Sequence, residues 1–182
     1  MSKKKRQKVK YPPLWIVFLV ILSVFIGILT AVIGINKITN YDHPYWFGFV
    51  FGGFGLLVGI LAAKRSKRYI AVNRRIKNDY PLAIFYISTG FIGIFLWVGT
   101  VMNQSLSQLD KCDNYTIIHK YRQESRSRSP EVNSLIITID GEEHRLVCSR
   151  HYWFNTRIGQ QINLCLYKSP IGFDYIVLTN DQ

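Results

Sequence analysis

Three stretches of this chain are apolar almost without interruption, and a fourth region alternates. Residues 14–36 (LWIVFLVILSVFIGILTAVIGIN), 45–63 (YWFGFVFGGFGLLVGILAA) and 81–102 (PLAIFYISTGFIGIFLWVGTVM) contain no Asp, Glu, Lys, Arg or His. About 20 helical residues cross the hydrocarbon layer of a bilayer, so each run is long enough to span one, the second only just. In the first run 16 of 23 residues are Leu, Ile, Val or Phe. Each favours insertion by about 0.3 to 0.6 kcal/mol near the bilayer centre, and no charge opposes them. A soluble reading would require three buried helices with no polar face. The first run outlasts the roughly 7–15 apolar residues of a signal peptide and no small-residue cleavage site follows it, so it reads as a retained helix.

From Asp110 the period changes to two. Strands are expected at 114–123, 134–140, 143–150, 160–167 and 173–179, where β-branched and aromatic residues alternate with polar ones. Asp140-Gly141 between the second and third is a strong hairpin signal. Segment 125–133 reads as a polar loop and 168–172 as a turn. The fold class expected is therefore membrane α+β: three transmembrane helices followed by a small antiparallel β domain of about five strands, a barrel or a sandwich. The domains expected are a basic tail (1–13), a transmembrane domain (14–103), a linker (104–113) and a β domain (114–182).

Charge adds orientation. The 182 residues carry a formal net charge of +12, all of it in two short segments. Residues 1–10 hold six cations and no acid, and 64–79 hold seven (Lys64, Arg65, Lys67, Arg68, Arg74, Arg75, Lys77) against Asp79. From Asn103 onward nine basic residues balance nine acidic ones. Cytoplasmic segments next to membrane helices are enriched in Lys and Arg. The tail and the 64–79 loop are thus expected in the cytoplasm of a cell that carries the chain in its plasma or inner membrane. Three crossings then put the β domain outside. The seven cations are expected to rest on anionic lipid headgroups, each contributing about 1 kcal/mol. No nucleic-acid recognition module accompanies them, so nucleic acid is not an expected partner.

Helices in lipid associate by close approach of small residues. Gly48, Gly52, Gly55 and Gly59 fall within an arc of about 60° on the second run, and Ser23, Gly27, Thr30 and Gly34 repeat the spacing on the first. Eight residues (KITNYDHP) join the two runs, so the two stripes are expected to face each other; the competing reading turns one stripe toward a second copy. Ser23, Thr30, Ser88, Thr89 and Thr100 are the polar residues within the spans, and all can bond back to their own helix. A transport path usually leaves charged residues or broken helices, so active transport by this chain alone is not expected.

The chemistry-bearing residues of the β domain are sparse. Cys112, Cys148 and Cys165 all fall in the expected outer part, where oxidation is permitted. Three cysteines allow one bridge in three ways, and a buried thiol is the alternative for each. His144, Cys148 and His151 have the ligand types of a zinc site. On a strand, however, His144 and Cys148 would stand about 13 Å apart with His151 on the other face, so no metal is expected. No catalytic elbow, phosphate loop or paired nucleophile and base is present, so neither enzyme activity nor a cofactor is expected. His151, Tyr152 and Trp153 are a candidate partner surface; otherwise these aromatics fill the small core.

Helices followed by a small β module is a layout similar to that of many bacterial membrane proteins. In architecture alone it also resembles defence effectors that fuse membrane helices to a nucleotide-sensing β-barrel. The reading favoured here is a non-catalytic integral membrane protein whose outer β domain binds or braces a partner protein, as an envelope-complex subunit or an immunity-type protein. Its partners are then the anionic bilayer and a protein or a second copy of the chain. The alternative is a sensor-effector, in which ligand binding to the β domain drives helix assembly and membrane perturbation. A C terminus outside favours the first and a cytosolic one the second.

Overall fold

The computed structural model describes residues 11–71, 77–124 and 131–179; Arg74, Arg75 and the tail residues 1–10 lie outside these. The elements are helices α1 (Leu14–Ile38), α2 (Pro44–Ile70) and α3 (Tyr80–Leu106), strands β1 (Gln108–Gln123), β2 (Val132–Ile139) and β3 (Glu142–Cys148), a short helix α4 (Arg150–Asn155), and strands β4 (Gln161–Lys168) and β5 (Tyr175–Leu178). They form two compact units. Of the described residues, one holds 11–35, 48–71 and 77–99, the other 36–47, 100–124 and 131–179.

In the first unit α1, α2 and α3 are each long and apolar enough to cross a membrane. The two small-residue stripes do not face each other, as their short connection had suggested; both pack on α3. A Cβ on Gly55 would sit 2.7 Å from the Cα of Ile92, and one on Gly59 2.6 Å from the Cα of Ser88. On α1, Gly27 meets Gly90 and Gly93 so closely that a Cβ on Gly93 would fall on the Gly27 carbonyl oxygen. Gly34 lies against the Leu96–Trp97 backbone, while a Cβ on Gly48 would meet nothing within 4 Å. The reason lies on α3 itself. At about 100° per residue, its Ser88/Ile92 and Gly90/Gly93 pairs lie on faces about 150° apart, so α3 is gripped between α1 and α2. Ser23 and Thr30 donate to carbonyls of their own helix, Val20 and Ile26.

The second unit is a five-strand antiparallel sheet in the order β3-β2-β1-β4-β5, curled into a half-barrel. β1 is its long central strand, pairing with β4 through its first half and β2 through its second. It begins at Gln108 rather than Asn114, so most of the segment expected as a linker is the end of α3 and the start of a strand. Asp140 and Gly141 take φ of 50° and 90°, both positive as a two-residue hairpin turn requires. Leu135, Ile137, Leu146 and Leu164 form the core with Ile117, Ile162 and Tyr152.

Two polar seams within this unit join the sheet to helix ends. The side chain of Asn40 bonds Val147 twice: Nδ2 donates to the carbonyl at 3.0 Å and Oδ1 accepts from N–H at 2.8 Å. The Asn40 carbonyl accepts from Ile176 N–H at 3.1 Å, and Asp42 N–H donates to the Asp174 carbonyl at 3.0 Å. Residues 40–42 therefore contact both edge strands of the half-barrel, β3 and β5. Asn103 on α3 is fully buried; it donates to the Phe173 carbonyl at 2.8 Å and accepts from the Ser169 hydroxyl at 2.6 Å. Tyr41 stacks on Tyr175, and Phe47 meets Phe173 edge-on.

Candidate functional site

The aromatic run after β3 is helical, which alternation had not suggested. Ser149 caps it, its hydroxyl accepting from Tyr152 N–H at 3.2 Å, a residue type suited to that place. Its C-terminal carbonyls are closed by Lys120 on β1, whose ammonium donates to Trp153 O and to Thr156 O, with the polarity favoured at a helix C terminus. Burial among these groups pushes the Lys120 amine below its ordinary value.

The helical turn sorts the candidate surface. Tyr152 faces inward, 9% exposed in the core, and Trp153 is packed beside it under Lys120. His151 is exposed and hydrogen-bonded to Asn155 at 2.9 Å. Of the run, the side chains facing water are thus His151 and Phe154, not the Tyr152–Trp153 pair. Phe154 is 53% exposed and Ile158, just beyond α4, is 63% exposed. Arg122 lies 5.2 Å and Arg150 5.6 Å from the centre of the Phe154 ring. Both arginines reach Glu131, Arg122 Nε at 3.1 Å and Arg150 at 3.8 Å. The Asn133 amide and these guanidinium groups hold the Glu131 carboxyl below its ordinary value. Sequence reasoning missed Phe154 and Ile158 as exposed apolar residues; Ser149 as a helix cap was the available signal for Phe154.

A second feature lies where the hairpin turn meets the loop before α2. Asp42, Asp110, Asp140, Glu142, His144, Lys168 and Asp174 line a cleft of about 290 Å³. The lining is mainly acidic: of its five carboxylates, Asp110 pairs with Lys168 at 3.1 Å and Asp140 with Lys111, outside the lining, at 3.4 Å, while His144 approaches Asp42 at 3.7 Å.

The cysteines resolve by sheet face. Cys112 and Cys165 stand opposite each other on β1 and β4 and are bridged. Cys148 points into the core from β3, 8% exposed, on the other side of the sheet order from β4, so it is in no bridge with Cys165. His144 lies on β3 and His151 on α4, with Cys148 buried between them in sequence. The stripe residues Gly27, Gly34, Gly55 and Gly59 lie along α3 as described above, and a Cβ on Gly52 would stand 3.7 Å from the Ile92 side chain, in ordinary contact. Lys64, Arg65, Lys67 and Arg68 are exposed at the end of α2, and Lys77 lies just before α3.

Three apolar helices with outward side chains such as Phe18, Phe25 and Leu57 about 60% exposed define a multi-span integral membrane protein carrying a β module. Such surfaces contact lipid. A family model fixes the relation further: the chain belongs to the CD20-like family, whose model matches residues 15–146, from α1 through most of β3. No curated protein and no solved structure matches the chain.

Proposed function

We propose that this chain is a non-catalytic membrane protein whose extracytoplasmic β module holds a partner protein at the α4 corner. The observation that carries this is Phe154, half exposed between Arg122 and Arg150; Ile158, exposed in the turn after α4, lies four residues on in sequence. Aromatic and arginine side chains dominate the energetics of protein interfaces, and here α4 is fixed by its cap, by Tyr152 in the core and by Lys120, so little ordering is needed on binding.

The outward placement draws on two supports. Thirteen cations lie in the tail and the 64–79 loop, on the far side of the helices from the loop after α1 and the end of α3, which the seams tie to the module. The Cys112–Cys165 bridge suits an oxidising compartment. A membrane-impermeant thiol reagent, applied to intact cells after mild reduction, should label Cys112 and Cys165; labelling only after the membrane is opened refutes the placement. Photo-crosslinking from position 158 in native membranes should give one discrete adduct. Phe154→Ala should weaken it by about 2 kcal/mol of binding, and an adduct of twice the chain's mass identifies the partner as a second copy. No adduct, or one indifferent to Phe154→Ala, refutes the corner.

The cleft at Asp42 and His144 favours the sensor reading in one respect, because it touches the loop joining α1 and α2. That reading requires a C terminus reachable from the cytosol, which the same thiol experiment tests.

A further inference from the structure

The chain holds two Asn-x-Ser/Thr triplets, Asn103-Gln104-Ser105 and Asn114-Tyr115-Thr116, the pattern at which an oligosaccharide is joined to asparagine outside the cytoplasm. The fold sorts them. Asn103 is fully buried and its Nδ2 donates to the Phe173 carbonyl, so it has no room for a sugar. Asn114 lies on β1, where Tyr115 packs against the core. Asn114 and Thr116 therefore share the opposite face, and both are exposed. The Asn114 side-chain oxygen accepts from Asn163 Nδ2 at 3.4 Å. Among the described residues the Asn114 Nδ2, the atom to which a sugar is joined, has no hydrogen-bond partner. A cleft of about 450 Å³ opens beside it, lined also by His151, Asn155, Gln160, Gln161 and Asn163. Among the described residues this lining contains no Asp, Glu, Lys or Arg. Each carboxamide offers donors and an acceptor without charge, which complements the hydroxyls of a neutral sugar, whereas an ion would find no counter-charge. Several of these side chains are already held. Asn155 bonds His151 at 2.9 Å, Gln160 Oε1 accepts from Arg157 N–H at 2.8 Å, and Asn163 Oδ1 accepts from the Thr179 hydroxyl at 3.0 Å. Little ordering is then needed on contact.

We propose that Asn114 is an N-glycosylation site and that the first sugars of its glycan lie in this carboxamide cleft. The donor is a lipid-linked oligosaccharide pyrophosphate, used by a membrane transferase of the cell that carries the chain. A bond forms from Asn114 Nδ2 to the anomeric carbon, and that carbon's bond to the pyrophosphate oxygen breaks. The lipid pyrophosphate leaves with the electron pair, one amide proton is released, and nothing is oxidised or reduced. Modification at Asn114 rests on the outward placement of the β module and does not depend on what the α4 corner binds.

The test uses the full chain purified from native membranes and digested with peptide N-glycosidase in heavy-oxygen water. Residue 114 should be recovered as isotope-labelled aspartate, and the intact chain should lose the mass of one glycan. Asn114→Gln and Thr116→Ala should each abolish that shift, and Ser105→Ala should leave it. Should Asn114→Gln fail to accumulate, the residue recovered at 114 in the digested wild-type chain decides alone. An unmodified Asn114, or a shift that survives Asn114→Gln, overturns the proposal. Impermeant thiol labelling of cells carrying Asn114→Gln separates two failures. Cysteines reached from outside while Asn114 is unmodified sink the glycan alone; cysteines reached only in opened membranes sink the outward placement with it. Seating in the cleft has its own readout, the thermal midpoint at which buried Cys148 becomes open to alkylation. Removing the glycan should lower it by about 4–8 °C, the worth of about one net hydrogen bond in a module of this size. In the chain with Asn155→Ala and Gln161→Ala, still glycosylated, removal should leave the midpoint unchanged. An equal fall in both chains overturns the seating.

Discussion

Removal of the Cys112–Cys165 bridge has a magnitude that follows from its place in the sheet. The two residues are 53 apart in sequence and directly opposite on paired strands. The folded module already holds their backbones in register, so replacing both with Ser takes away almost no native contact. The loss falls on the unfolded chain, which regains the freedom of a loop of that length. In the chain-entropy treatment this amounts to about 14 cal/mol/K, or about 4 kcal/mol at 25 °C. For a module of this size the midpoint should fall by roughly 15–30 °C.

Cys148 supplies the probe. It is buried in the core of the same module, so its rate of alkylation against temperature reports opening of the β module without interference from the helices. In the C112S/C165S variant it is the sole thiol. The oxidised chain should protect Cys148 to a temperature well above that at which the variant exposes it. A shift below about 5 °C, or three titratable thiols in protein taken from native membranes, refutes the reasoning.

Further outcomes follow from the packing and the polar seams. Gly93→Ala and Gly55→Ala push a methyl into backbone of a neighbouring helix and should each cost about 1–3 kcal/mol or more, whereas Gly48→Ala, with open space around it, should be neutral in the same detergent unfolding assay. Asn40→Ala removes two side-chain bonds to Val147, about 1–3 kcal/mol together, and should accelerate hydrogen exchange at Val147 more than elsewhere in β3. Glu131 has a folded-state pKa depressed below the ordinary 4.5. Its contribution is therefore present in full above that value and is lost as the pH falls through the lowered folded value. Glu131→Gln should flatten the acid limb of the midpoint-against-pH curve without changing its neutral plateau's slope.

How much of this could be read from the chain depends on the reach of each interaction. The three spans are legible because the bilayer is a solvent: composition alone decides insertion. Which helix meets which is a three-body matter. The stripes on α1 and α2 were visible, but Gly90, Gly93 and Ser88 on α3 determine where they pack. The core strands alternate and were found nearly in place. The first half of β1, QLDKCD, was not, because most of its residues there are exposed and no alternation marks it. The short α4 is built of aromatics that favour strands, and burial of Tyr152 outweighs that preference. In the KITNYDHP connection nothing in the local pattern reveals that Asn40 reaches β3, 107 residues away.

That connection also meets the two edges of the curled sheet. An unpaired edge strand is a template for pairing with other chains. Here β3 is met by the amide of Asn40, and β5 by the Asn40 carbonyl and the bridge between Tyr41 and Tyr175. Residues 40–42 thus meet each edge at one point, Val147 on β3 and Tyr175–Ile176 on β5, with a segment that comes from between two membrane helices. The expectation is that the sheet depends on this loop. Residues 108–179 expressed alone expose the pairing groups of Val147 and Ile176 and should self-associate in sedimentation, at concentrations where a fusion restoring residues 36–47 through a flexible linker stays monomeric. If the isolated segment is monomeric and shows the same Cys148 protection as the full chain, the loop is an ornament on a complete domain. Association reversed by the restored loop means that the membrane hairpin supplies the closing piece of the half-barrel.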